Sequence, residues 1–311
     1  MKTPKVTVII PVYNHQAYIE QCLDSLIAQD FKDWEAVVVD DGSTDASAII
    51  LEKYQRQDTR IKVYSQKNVG IYNLHVTYNK ALSLAKGIFI AVLEGDDYWP
   101  SDKLGNQIKI INDEQTGLCW GGGVYVNNNG DYLLEVMDQV DLWGESVVCN
   151  NPIGVAFDHF SFASNFFNMP TCSVIYRKDA LESIGGFWQP NGLKWLDKPT
   201  WMLLSLSFEF SYCNKNCGFW RRHKEQITSI NTDSKTTLEY MLDSDISDKK
   251  DLNQKLFSLR REVDFYLVAV QLYRSKSLFL EKIPLMLKAI RLLLNNPVRI
   301  SRFILMVKNF K

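Results

Sequence analysis

An apolar run from Ile88 to Leu93, long enough for a buried strand, ends abruptly in Glu94-Gly95-Asp96-Asp97, so acidic side chains crowd the point where the strand leaves its sheet. Adjacent carboxylates repel one another unless a cation or hydrogen-bond donors lie between them. A hard divalent ion that keeps its waters and bridges to substrate phosphates meets that need; a solvated acidic turn is the plainer alternative. A second acidic strand end, Asp40-Asp41 after Ala36-Val-Val-Val39, weighs toward the ion, because two such ends on one edge of a sheet make a polar cleft.

The rest of the chain supplies the sheet. Val6-Thr-Val-Ile-Ile10 is continuous and β-branched, and Pro11 stops it. Asn14 caps the next helix, in which Ile19, Cys22, Leu23, Leu26 and Ile27 recur at helical spacing. After the second strand, Gly42 permits a tight turn, and Ser43 or Thr44 caps a helix carrying Ile49, Ile50 and Tyr54. A third strand over Ile61-Lys-Val-Tyr64 leads through Asn68-Val-Gly70 to a helix from Thr77 to Lys86. Strands alternating with helices predict an α/β fold with a parallel sheet and right-handed crossovers, whose ligands bind beyond the carboxyl ends of the strands.

Further on, Asp102 to Asp113 reads as a helix with Leu104, Ile108 and Ile111 inward, and Leu118 to Val126 as a strand whose three glycines leave room for close backbone or ligand approach. Residues 127–170 are rich in Asn, Asp, Gly and Phe and read as a loop-rich insertion on the acceptor side. Thr171 to Tyr176 restores a strand, Arg177 to Phe187 a short helix stopped by glycine, and Leu196 to Trp201 opens another helix with Pro199 in its first turn. Arg221-Arg-His223 is a basic cluster.

At 311 residues, 46% hydrophobic and 23% charged, the chain can bury a full core, which excludes disordered and fibrous classes. Its net charge of -1 is the sum of +8 from Arg274 to Lys311 and -9 over the rest. An acidic body argues against a nucleic-acid surface. The six cysteines are expected to be thiols, mostly buried; a zinc site at Cys213 and Cys217 is the alternative and lacks a second ligand pair. With no h-region of a signal peptide and no uncharged apolar run of spanning length, the expected location is the cytoplasm.

Val8-Ile-Ile-Pro-Val-Tyr-Asn14, Val37-Val-Val-Asp-Asp-Gly-Ser-Thr-Asp45, Asn68-Val-Gly70, Glu94-Gly-Asp-Asp-Tyr-Trp99, Ile184-Gly-Gly-Phe187 and Arg221-Arg-His223 follow one another in the order that resembles family 2 glycosyltransferases with a GT-A fold. The resemblance covers about the first 230 residues and implies a GT-A domain over 1–232, with a nucleotide-binding half near 1–126 and an acceptor half near 127–232. Residues 233–311 would form a basic, amphipathic helical region.

The resemblance implies an inverting enzyme that moves a sugar from a nucleotide-sugar donor to a hydroxyl of a glycan or lipid-linked acceptor, in bacterial surface polysaccharide or oligosaccharide assembly. Pro11 and Tyr13 would flank the base, Asp41 would accept a hydrogen bond from it, Asn68 would join the donor site and Asp96 would lie near the ribose. Asp97 would bind Mn2+ or Mg2+, with His223 near the metal and Arg221 adding charge at the diphosphate. Asp197 matches the aspartate of the family's Glu-Asp motif and would be the base, although Leu196 replaces the glutamate; a helix cap is the alternative. Glu94 replaces the first aspartate of the usual acidic run, and Thr77-Tyr78-Asn79 stands where Ala-Arg-Asn is frequent, leaving His75 or Lys80 to stand in for the arginine or to lie on the surface. A sugar-phosphate nucleotidyltransferase and a non-catalytic carbohydrate-binding or scaffold protein are the competing functions. The two basic apolar helices expected between Lys282 and Lys308 would lie on the inner membrane face, or pack on the catalytic domain or another subunit.

Overall fold

Alternate residues of the first strand settle on opposite faces of a sheet that is buried on both sides. In the computed structural model, which describes residues 3–111, 113–136, 140, 143–162, 169–224, 226, 237–244, 249 and 252, strand β1 spans Val6–Val12, β2 Trp34–Asp40, β3 Ile61–Ser65 and β4 Phe89–Val92. Val6, Val8 and Ile10 enter one core with Ala36, Val38 and Ala91, while Ile9 enters a second with Val37, Val39, Ile90 and Val92. Helices α1 (Ile19–Ile27), α2 (Ser47–Gln57) and α4 (Lys103–Ile110) close the first core with Leu23, Leu26, Leu51, Leu104 and Ile108. Helix α3 (Leu74–Leu84) and the helix Asp197–Leu204 close the second with Tyr78, Ala81, Trp201 and Met202. Each large apolar side chain so buried contributes about 1.5–3 kcal/mol, which is why the run from Phe89 to Val92 holds its place between two layers.

The four strands β3-β2-β1-β4 are parallel. The sheet continues through β7 (Ile175–Arg177), antiparallel to β4, to β5 (Thr116–Val126) and the edge strand β6 (Tyr132–Val136), and β8 (Glu209–Arg221) runs parallel to β5. The architecture is α/β, a mixed sheet flanked by helices, with the carboxyl ends of β1, β2, β4 and β8 contributing to one edge.

Several local expectations are corrected. Pro11 does not stop β1, which continues to Val12: its missing N–H would face β4, where the chain is already leaving the sheet and the Gly95 amide donates to the Pro11 carbonyl. Asn14 caps no helix; its side-chain oxygen accepts the Thr44 amide at 2.8 Å, and the Ser43 hydroxyl accepts the Asn14 amide at 3.0 Å. These bonds bind the turn after β1 to the turn after β2. Residues 171–173 form a 3-10 turn before β7, and the insertion holds β6 and the helices Glu145–Val148 and Val155–Phe162. The glycines of β5 admit protein rather than ligand: a Cβ on Gly121 would stand 2.4 Å from Cys217 Sγ, and one on Gly123 would stand 2.6 Å from Pro170 Cγ.

Cys213 and Cys217 are buried thiols on either side of a bulge in β8, and among the described residues no three His, Cys, Asp or Glu side chains are grouped to hold a metal. The chain beyond residue 233 contributes Leu238, Met241 and Leu252 to the second core. The basic helices expected near the carboxyl terminus lie outside the described residues, among which no helix is long and apolar enough to cross a membrane.

Candidate active site

The turns that follow β1, β2 and β4, the end of β8 and the start of the helix Asp197–Leu204 surround a cavity of about 400 Å³. Pro11, Tyr13, Asp41, Asn68, Asp96, Asp97, Asp197 and His223, eight of the nine residues singled out in the sequence, line it together. Arg221 does not. It is 2% exposed; its Nε donates to the Asp96 carbonyl at 2.9 Å, and its other nitrogens bond the Asn127 and Asn128 carbonyls and Gln21 Oε1. The guanidinium also lies over the Tyr18 and Tyr98 rings, so it ties the loop carrying Asp96 to the turn after β5 and to Gln21 of α1.

At one end of the cavity Asp41 closes β2. Its carboxylate accepts Gln66 Nε2 at 2.7 Å and the Val69 amide at 3.2 Å, and Asn68 Nδ2 donates to its carbonyl at 3.0 Å. The Asn68-Val-Gly70 turn is thereby held against the strand end, with Tyr13, 45% exposed, at the cavity's rim.

In the middle, His223 Nε2 lies 3.0 Å from Asp96 Oδ2. Burial works to raise the Asp96 carboxyl, but His15 and His223 hold it below the ordinary aspartate value. Asp97 is engaged differently: its Oδ1 accepts the Arg221 amide at 2.9 Å, and burial, with the Asp96 and Glu94 charges, pushes its carboxyl well up. Glu94 accepts the Tyr78 hydroxyl at 3.1 Å, and its second oxygen is buried with no hydrogen-bond partner. Burial and the Asp96 charge push Glu94 up to about 8. A carboxylate and an imidazole in contact supply two ligands of the kind a divalent ion takes when water and substrate phosphates complete its shell.

At the far end, Asp197 opens its helix. Its Oδ1 accepts the Lys198 amide at 2.7 Å and its Oδ2 the Thr171 hydroxyl at 2.9 Å, yet burial raises its pKa above the ordinary aspartate value. The residue that caps the helix is Leu196, and Asp197 faces the cavity together with Trp195 and Lys194.

Thr77, Tyr78 and Asn79, read as a departure from the family's pattern, each support a different part of this site. Thr77 Oγ1 accepts Gln66 Nε2, the nitrogen that also bonds Asp41, at 2.8 Å; Tyr78 bonds Glu94; Asn79 exchanges two 2.8 Å bonds with the Phe187 backbone. His75 and Lys80 are not among the lining residues; His75 meets Gln189, and Lys80 Nζ donates to the Ser65 carbonyl. Sequence reasoning missed His15, Thr171, Trp195, Trp220 and Gln226 in the lining. For His15 a signal existed, since it directly follows the Pro11-Val-Tyr-Asn14 turn.

Bacillus subtilis TuaG, named for teichuronic acid biosynthesis, is 39% identical over 131 residues, 42% of this chain and 51% of its own, so the chain spans about half the length of that relative. Streptococcus pneumoniae glycosyltransferase GlyG is 25% identical over 224 residues, 71% of this chain and 72% of its own. Among solved structures, S. aureus TarS 1–349 in complex with UDP matches with a TM-score of 0.53 at 20% identity, covering 94% of this chain and 72% of that one. The mannosyltransferase PcManGT of Pyrobaculum calidifontis, in complex with GDP-Man and Mn2+, matches with a TM-score of 0.52 at 20% identity, covering the whole of this chain and 88% of that one. These two likenesses concern the fold. The model of glycosyl transferase family 2 matches residues 7–185, more than half of the chain, and takes in both acidic strand ends and the turn at Asn68; the chain belongs to that family.

Proposed function

We propose that the protein is an inverting glycosyltransferase that takes a sugar from a nucleotide-sugar donor and delivers it to a hydroxyl of a glycan or lipid-linked acceptor in bacterial surface polysaccharide assembly. The observation that carries this reading is the order in which the sheet sets groups around one cavity: Asp41 with Asn68 after β2, Asp96 with His223 after β4, and Asp197 bonded to Thr171 just ahead of β7, the strand beside β4. The name of TuaG supports the polysaccharide context.

In this reading the base lies between Pro11, Tyr13 and Asp41, and the ribose and diphosphate extend past Asp96. Asp96 and His223 would hold Mn2+ or Mg2+, while Asp97 braces the end of β8 through the Arg221 amide. The ion, when bound, neutralises charge that builds on the departing nucleoside diphosphate. Asp197 takes the proton of the acceptor hydroxyl as the oxygen attacks the anomeric carbon from the face opposite the leaving group. The Thr171 hydroxyl and the Lys198 amide orient its two oxygens, and the raised pKa makes it a stronger base than a solvated aspartate. Because Leu238, Met241 and Leu252 pack into the second core, the catalytic unit extends to at least Leu252.

The test is a calorimetric titration with UDP, GDP, CMP and dTDP, with and without Mn2+ or Mg2+, followed by hydrolysis assays with the matching nucleotide sugars. Metal-dependent binding of one nucleotide, together with turnover that Asp197→Asn abolishes, is the expected result. No binding of any nucleotide under any condition would overturn the reading.

A further inference from the structure

We propose that His15 is a donor-binding residue that contacts the anionic diphosphate of the bound nucleotide. This inference rests on the reading of the cavity as a nucleotide-sugar site and adds to it a residue that lies outside the acidic and Arg-Arg-His motifs.

Three observations support it. The first is rigidity. The His15 amide donates to Ser47 Oγ at 2.9 Å, and its carbonyl accepts the Tyr18 and Ile19 amides at 2.9 Å each. On one side of it Asn14 is tied to Ser43 and Thr44, and on the other Gln16 is tied to Asp45 and Ala46. The imidazole therefore projects from a backbone fixed by two loops, which is how a binding group is held ready for its ligand.

The second is room made for the ring. A Cβ on Gly95, in the middle of the acidic run, would stand 2.6 Å from His15 Nδ1, so the missing side chain there lets the imidazole lie against the turn after β4. Nδ1 is buried without a hydrogen-bond partner in that position, while the ring lines the cavity beside Asp96 and Asp97. A buried polar ring atom left unsatisfied costs stability unless the site has a use for it.

The third is charge. A diphosphate entering a cavity whose lining includes Asp41, Asp96 and Asp197 meets like charge, and burying an anion requires partners. Arg221 has its N–H groups turned to carbonyls and Gln21, and the family's frequent arginine is absent from the 77–79 segment. The lining side chains able to carry positive charge are His15, His223 and Lys194. Lys194 belongs to the segment leading to Asp197, which is bonded to Thr171 ahead of β7, and His223 is engaged with Asp96. His15, fixed in the turn after β1 and lying against Gly95, is left as the group placed for the phosphates.

The experiment compares wild type with His15→Phe, which keeps the ring and removes both nitrogens, and with His15→Gln, which keeps a hydrogen-bonding group. Each is titrated with the nucleoside diphosphate that wild type binds and with its monophosphate, in Mn2+; thermal melting checks folding, and Mn2+ binding without nucleotide is followed by paramagnetic resonance. The expected result is an affinity for the diphosphate about tenfold weaker in His15→Phe, partial recovery in His15→Gln, and monophosphate and Mn2+ binding within about twofold of wild type. Equal losses for both nucleotides would make His15 a packing residue and overturn the inference, as would no loss at all. A loss of nucleotide-free Mn2+ binding would make it an ion ligand and also overturn it. If wild type binds no nucleoside diphosphate, the donor-site reading itself falls and takes this inference with it.

Discussion

His223 Nε2 and Asp96 Oδ2 lie 3.0 Å apart although 127 residues separate them in the chain. One comes from the turn after β4 and the other from just beyond β8, so the pair exists only where the two parts of the sheet meet. Asp96→Asn and His223→Gln should each weaken metal-dependent nucleotide binding by at least about tenfold while leaving the melting temperature nearly unchanged. Stripping metal with EDTA should bring wild type down to the same affinity. Asp97→Ala should behave differently, lowering stability by about 1–3 kcal/mol because the buried Arg221 amide loses its acceptor. Calorimetry with and without EDTA, next to thermal melts, separates the two outcomes.

Asp197 should set the acid limb of the pH-rate profile. The base works only when ionised, and burial holds its pKa above the ordinary aspartate value, so activity falls as pH drops through that raised value. Thr171→Val removes a hydroxyl that favours the ionised form and should move the limb to still higher pH with little change in the plateau rate. Asp197→Asn should lower kcat by about 10²–10⁴. Profiles of kcat/KM against pH for the three proteins check this.

Lys103 is fully buried with its amine unpartnered among the described residues, and burial lowers its pKa from 10.5 to about 8. Between those values the unfolded chain binds a proton that the folded chain has shed, so the penalty is complete below pH 8 and fades as pH rises toward 10.5. The span corresponds to ~3 kcal/mol, part of which the Trp99 ring 4.1 Å from the amine offsets. Lys103→Met should raise the unfolding free energy by ~1–3 kcal/mol at pH 7 and by much less at pH 10. Urea denaturation at both pH values measures the difference.

Asn79 holds the Phe187 backbone through two bonds, and the Phe187 ring packs 5.3 Å from Tyr78 and 5.6 Å from Tyr176. Asn79→Ala leaves both backbone groups of Phe187 unpaired and should cost about 2–4 kcal/mol, read by urea denaturation. Asn79→Asp keeps an acceptor for the Phe187 amide and should cost less.

The parallel half of the fold was legible because strands buried on both faces must be uninterrupted and apolar, as Val6 to Ile10 and Ile88 to Leu93 are. The acidic strand ends were legible for the same reason: a charge at the end of such a run has few structural uses. β8 was not read. Its pattern is interrupted by Asn214 and Lys215, which form an exposed bulge, and a period of two is lost wherever residues are inserted. Arg221 was assigned to the donor because a charged motif beside a histidine suggests a ligand; its bonds run to backbone carbonyls 93 to 125 positions away, which no local pattern reports. Asn14, Ser43 and Thr44 were read as helix caps, the commonest use of such residues, but they bond across from one turn to the other.

The bulge in β8 also works as a ruler. Gly121 pairs with Cys213, Gly122 with Asn216 and Val124 with Phe219, so two extra residues at Asn214 and Lys215 and one more after Asn216 are taken up before the strand delivers Trp220 to the cavity and His223 to Asp96. A strand moved along by one position turns every side chain to the opposite face. The number of residues between Cys213 and Cys217 is therefore under tighter constraint than their identity: substitutions at Asn214 or Lys215 leave the site standing, whereas deleting either one turns Trp220 away and parts the imidazole from its carboxylate.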